Sequence, residues 1–209
     1  MMIADADMFS HQVLVQREAE ILNAPPRIAG VPLTEMSEEQ RLIISRVRGA
    51  IGADDSSISE YFLILAKRPS LFVGQLEMGA ALFNGAIPAR ERELVILRCG
   101  WLARAPYEWG EHVPVAKRVG LTDAEIERVT AGPTAEGWTE HEAALLSAVD
   151  ELFRDQMISD AVWATLAKSW GDEQLLGLPL LVGQYVGVAM VQNSIRLPLE
   201  NGNTGLTRR

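Results

Sequence analysis

Cysteine is almost absent: Cys99 is the only one in 209 residues. An intrachain disulfide is therefore impossible, and thiol–disulfide cycling would need an outside partner. Basic clusters are missing too. Nineteen Lys and Arg face 28 Asp and Glu, a formal net charge of −9. Such a surface repels phosphates and anionic lipid heads, so neither nucleic acid nor a membrane surface is an expected partner. The opening "MMIADADMFSHQVLVQ" has no basic stretch and no continuous apolar one, and it does not read as a secretory leader. The longest apolar run, "LLGLPLLVGQYVGVAMV" (175–191), is interrupted by Pro179, Gln184 and glycines and lies at the lower edge of spanning length. It reads as a buried helix, and the chain as a cytoplasmic protein. No stretch alternates cleanly with period two between turn residues, so no strand is expected.

What remains is helical signal. Ser37…Gln40, Thr122…Glu125 and Thr139…Glu142 have capping-box spacing ahead of apolar runs at helical period. Ser159 and Asp172 are simpler caps for helices of about 160–169 and 173–195. Pro69, Pro88 and Pro106 mark further starts, because the first turn has no use for the N–H that proline lacks. The expectation is an all-α fold of about eight helices joined by short loops. Residues 1–33 form an arm, with a short helix at about 10–22 and then "NAPPRIAGVPL", whose prolines favour an extended path over the body or onto a neighbouring subunit. The main domain covers 34–200, and the polar, Gly/Asn-rich tail 201–209 is expected to be flexible. Gly183 and Gly187, four apart, favour close helix packing within the core or between subunits.

The stretch "APYEWGEHVPVAKRVG" (105–120) concentrates chemistry. Glu108 and His112, four apart, share one helix face. Pro114 cannot donate to the carbonyl of Gly110, and the glycine eases the resulting distortion around His112. On the preceding helix Glu93 is the polar exception in "ELVILRCGWL", and the short "RAPY" turn can bring it to His112. A carboxylate beside an imidazole raises its pKa and fixes its tautomer, so Glu93, Glu108 and His112 are candidate acid–base residues. The plain alternative is an i,i+4 surface pair worth about 0.2–0.5 kcal/mol. Tyr107, Trp109, Trp101 and Tyr185 are candidate pocket walls, or else core packing. Arg90, Arg98 and Arg104 are candidates for a substrate carboxylate. Arg98 stands out because it interrupts an apolar run; its alternative is an ion pair within the helix layer.

The segment "IPARERELVILRCGWLARAPYEWGEHVPVAKRVGLTDAEI" (87–126) resembles the core of the carboxymuconolactone decarboxylase family, which includes the alkyl hydroperoxidase D-like proteins. The resemblance rests on "RELVILR", the aromatic–acid–aromatic turn, the histidine and "AKRVGLT". It covers about 69–130 and extends more loosely over 137–200. It implies an all-helical bundle that assembles as dimers, trimers or hexamers with pockets near subunit contacts. In the peroxidase branch a C-x-x-C pair precedes the histidine and a glutamate on the preceding helix completes a relay. Those positions fall on Ala105, Glu108, His112 and Glu93, so both thiols are missing, and Cys99 lies mid-helix among apolar residues. Peroxide reduction needs those thiols. The decarboxylase branch, which needs neither thiols nor a metal or organic cofactor, fits the residues better.

Three functions are therefore weighed: a cofactor-free lyase or isomerase acting on a small organic acid or lactone, a residual redox protein using Cys99, and a non-catalytic helical oligomer that binds a small molecule. No metal site is expected, because H-E-x-x-H is absent, His141 sits between Glu140 and Glu142 on different faces, and His11 lies in the arm. A serine hydrolase would need G-x-S-x-G on an α/β fold, and neither is present.

Overall fold

The computed structural model describes residues 10–51, 58–200 and 202–207, with the side chains of 48–51 excepted. Among them are ten α-helices, one 3-10 turn (Leu33–Glu35) and no strand. The helices are α1 (His11–Leu22), α2 (Glu38–Ile51), α3 (Glu60–Leu65), α4 (Pro69–Phe83), α5 (Ala89–Leu102), α6 (Pro106–Arg118), α7 (Asp123–Ala131), α8 (Glu140–Asp155), α9 (Asp160–Leu166) and α10 (Asp172–Ile195). The count exceeds the expected eight; α3, only six residues long, carried no periodic signal, whereas α9 is the Ser159-capped helix expected at about 160–169 and ends at Leu166.

Helix α5 is the axis. Every residue from Arg92 to Trp101 is buried, and α6, α7, α8 and α10 pack around it. A helix surrounded on all sides loses its amphipathic stripe, which is why "ELVILRCGWL" reads as nearly continuous apolar sequence. Leu94 to Leu97 meet Ile126, Val129, Leu145, Leu146, Val149, Leu178 and Leu181 in the main core. A smaller core joins α2, α3 and α4 through Ile43, Ile44, Val47 and Phe72.

All three capping boxes form. Thr122 Oγ1 accepts from Glu125 N–H at 3.3 Å while Glu125 Oε2 accepts from Thr122 N–H at 2.8 Å; Thr139 with Glu142 and Ser37 with Gln40 do the same. Arg90 ties the first two together, donating to Glu125 and, at 3.0 Å, to Glu142. Pro88 precedes α5 instead of opening it. Asp172 is the first helical residue of α10, with Gly171 at the cap.

The arm packs on its own chain: Leu14 and Ile21 are buried, and Arg27 donates to the carbonyls of Ile195 and Ser194. The tail departs from expectation over its described residues. Glu18 accepts from Leu206 N–H at 2.7 Å and from Thr207 Oγ1 at 3.0 Å, and Leu206 is fully buried. Polar composition suggested fraying; one glutamate on α1 supplies the partners that prevent it.

Helix α10 is also split from its expectation. Leu178, Leu181 and Ala189 are fully buried, yet Leu176 is 67% and Met190 63% exposed on the opposite face. An added Cβ at Gly183 or Gly187 would touch nothing among the described residues, so these glycines pack against no other described element. Of the described helices, α10 alone is long and apolar enough to cross a membrane, and about a third of its apolar window is buried (33%).

Candidate functional site

The α5–α6 hairpin closes tightly because Gly100 offers no side chain: a Cβ there would lie 3.3 Å from the backbone nitrogen of Trp109. That approach seats Trp109 fully in the core against Trp101, ring centroids 5.2 Å apart, and sets Glu93 against His112. Glu93 is fully buried, and its Oε2 accepts from His112 Nδ1 at 2.7 Å. A carboxylate is acceptor-only, so this bond fixes the proton on Nδ1 and leaves Nε2 for chemistry. Glu108 Oε1 lies 3.4 Å from Nε2, within ion-pair range but longer than a good hydrogen bond. Of the three side chains His112 is the most accessible, at 14%. The site is therefore nearly dry and opens at the imidazole.

The electrostatics follow from that burial. Burial pushes the Glu108 carboxyl up from 4.5, against the opposing pull of His112 and Gln192. For His112 burial works downward, but the Glu93 hydrogen bond and the charges of Glu108, Glu93 and Glu111 outweigh it and raise the imidazole above 6.5. Glu108 and His112 thus titrate as an interacting pair. Tyr185 meets the imidazole edge-on, centroids 5.1 Å apart at 87°, and burial keeps its phenol protonated.

Two contributors escaped the sequence reading. Arg92 is buried beside Glu93, donating to its Oε1 at 3.1 Å and to the Phe83 carbonyl at 2.6 Å, with its guanidinium 3.6 Å above the Phe83 ring. The "RELVILR" string contained it, but nothing in a charged "RERE" start says which arginine turns inward. Gln192, buried on α10, hydrogen-bonds Glu108. Its only advance signal was an amide among apolar residues.

Other candidates lie elsewhere. Arg98 forks onto Asp150 at 2.6 and 2.8 Å and donates to the carbonyls of Val129 and Thr130. Its donors are spent on α7 and α8, the ion-pair alternative, and not on a substrate carboxylate. Arg90 is committed to the capping boxes. Tyr107 packs with Tyr61, Ile64, Ile195 and Leu197, and Trp109 is core, so neither forms a wall beside the imidazole; Tyr185 does. Gly110 has a reason beyond Pro114: a Cβ there would fall 1.7 Å from Asn203 Oδ1. Asn203 donates to the Tyr107 carbonyl and to Glu111, each at 2.9 Å, and so straps the tail to α6 one turn from His112. Two open grooves of about 500 Å³ flank α1, but Glu93, Glu108 and His112 line neither. Among the described residues no cluster of His, Cys, Asp and Glu is arranged to hold a metal.

Residues 71–151 match the profile of the carboxymuconolactone decarboxylase family. That span covers α4 to α8 and includes Glu93, Glu108 and His112. The family likeness is confined to that span, which is less than half of the 209-residue chain. Solved structures share its fold. An uncharacterized peroxidase-related protein from Ralstonia eutropha JMP134, with an alkylhydroperoxidase AhpD core, is 17% identical at TM-score 0.72, over 85% of this chain and 94% of its own. A peroxidase-related protein from Silicibacter sp. TM1040 is 12% identical at TM-score 0.72, over 90% and 98%. A cysteine-to-alanine variant of the debrominase Bmp8, in complex with 2,3,4-tribromopyrrole, is 13% identical at TM-score 0.65, over 83% and 91%. No curated protein matches the chain. Ala105 and Glu108, where the sequence resemblance would put the thiol pair, are both buried, and Cys99 is fully buried with its thiol pushed up by burial.

Proposed function

We propose that Glu93, His112 and Glu108 form a thiol-free proton-transfer site acting on a small organic acid or lactone, in the manner of a carboxymuconolactone decarboxylase and without metal or organic cofactor. The carrying observation is the 2.7 Å bond from His112 Nδ1 to Glu93, which leaves Nε2 facing Glu108 at 3.4 Å. Loss of CO₂ from a carboxylactone breaks one C–C bond, and its electron pair passes into the conjugated lactone carbonyl as a dienolate. His112 then delivers a proton to carbon from Nε2, and Glu108 resupplies it. Burial strengthens each interaction by excluding water. Thiol-based peroxide chemistry is disfavoured: the sequence has one cysteine, and it is a buried thiol rather than an accessible thiolate.

The test is CO₂ release from γ-carboxymuconolactone by the purified protein and its His112→Gln variant, with no metal or thiol added. Release that depends on His112 supports the lyase reading. Release by neither removes this substrate and leaves a divergent enzyme or a non-catalytic binding protein as the readings to pursue. We also propose a homo-oligomer assembled through α10, whose outer face repeats Leu176, Leu180, Gly183, Gly187 and Met190 at alternating four- and three-residue steps with no charge among them. Light scattering on the wild type and on Leu180→Lys tests this: a lysine there should shift the mass toward a single chain.

A further inference from the structure

Five polar or charged side chains are buried among the described residues: Arg92, Glu93, Arg98, Glu108 and Gln192. Arg98 is fully engaged away from the site, and Arg92 is spent on Glu93 and Phe83. Gln192 is different. One end of its amide is held by Glu108, while its Oε1, buried within a residue only 3% exposed, has no hydrogen-bond partner. An amide carbonyl stripped of water and left unmatched destabilises the fold, and leucine or methionine would fill the same space without that cost. The atom lies at the far end of a planar group already touching Glu108, so it borders the acid–base cluster. Tyr185, two turns earlier on the same face of α10, touches His112. Both residues lie beyond the family-matched span of 71–151.

What would complete this acceptor follows from its neighbours. Glu108, Glu93 and Glu111 all influence the site, while Arg92 donates to Glu93 and the Phe83 carbonyl and Arg98 to Asp150. A carboxylate placed at Gln192 would set its lone pairs against the amide oxygen and the Glu108 carboxyl. A hydroxyl or N–H would instead donate to Oε1. We propose that Gln192 is a substrate-binding residue whose Oε1 accepts a hydrogen bond from a hydroxyl or N–H at the uncharged end of the substrate. This rests on the reading that a small organic substrate occupies the site, but not on the reaction performed there.

The experiment compares binding of α-hydroxy-γ-butyrolactone with that of γ-butyrolactone by ligand-observed NMR, in the wild type and in Gln192→Met. Imidazole ¹⁵N shifts of His112 locate the probe. The wild type should prefer the hydroxylated probe by about tenfold, since a site with an unpaired acceptor penalises the analogue that lacks the donor. Gln192→Met should reduce the preference to about one while its melting temperature stays equal or rises, which separates lost recognition from lost folding. In His112→Gln the preference should persist, so the binding role and the proton-transfer reading fail separately. A preference unchanged in Gln192→Met, equal binding of both probes to the wild type, or no shift at His112 overturns the proposal.

Discussion

Two glutamates on α5, Glu91 and Glu93, each meet a histidine, and only one of the pairs closes. Glu93 bonds His112 at 2.7 Å with no exposure of its own side chain. Glu91 Oε2 stands 3.6 Å from His141 Nε2, with the side chains 24% and 22% exposed. The same oxygen is already taken by Trp170 Nε1 at 3.0 Å, and His141 Nδ1 pairs with Ser169 Oγ at 3.0 Å. Residues two apart on a helix point to nearly opposite sides. One glutamate thus enters the α5–α6 hairpin and the other the junction of α8 with the turn after α9. Chemical identity is the same in both; burial makes one of them a site, with its second donor, Arg92, held on the other carboxylate oxygen so that Oε2 is left to His112.

The largest expected separation is catalytic. If the lyase reading holds, His112→Gln should lower CO₂ release about 10²–10⁴-fold, the usual worth of a positioned acid or base, whereas His141→Gln should leave it within about twofold. Stability should separate the glutamates next. Glu93→Gln strands the buried Arg92 charge and should cost about 3 kcal/mol in urea unfolding. Glu91→Gln only weakens a bond to an indole and should cost about 1 kcal/mol.

A third contrast concerns the strap. Gly110→Ala drives a Cβ into Asn203 and should cost about 1–2 kcal/mol. Pairing it with Asn203→Gly should recover much of that loss, because the clash partner is gone.

The smallest effect is pH-dependent. The folded-state pKa of His112 is raised above 6.5, so its contribution is complete below that value and is lost as pH rises through the elevated one. Glu108, raised from 4.5, acts in the same direction from a lower starting pH. Glu125, held down to about 2 chiefly by Arg90, acts oppositely: its contribution is present above 4.5 and lost as pH falls toward 2. Urea midpoints measured upward from pH 6.5 should therefore fall more steeply for the wild type than for His112→Gln.

Much of this was legible in the sequence where the signal is local. Capping boxes name their own partners three residues away, and Glu108 with His112 is a fixed i,i+4 relation. The Glu93–His112 contact was only plausible from a residue count, because it depends on how closely two helices cross, and Gly100 sets that. Arg92 and Gln192 were missed because a charged or amide side chain reads as surface until its burial is known. Arg98 and Trp109 drew attention as polar and aromatic exceptions, yet their partners, Asp150 and Trp101, lie on other helices. The contacts of Leu206 and Thr207 were not legible for the same reason: Glu18, which holds them, is nearly the whole chain away.

The central claim is that Glu93 holds His112 with its Nδ1 protonated and its affinity for a proton raised. An imidazole ¹⁵N NMR titration of the wild type and Glu93→Gln tests it directly, with only three histidines to assign. The account predicts that His112 titrates above 6.5 in the wild type, with Nδ1 carrying the proton in its neutral form, and that its pKa drops in Glu93→Gln. A His112 that titrates at or below 6.5, and does not move when Glu93 is changed, would contradict it.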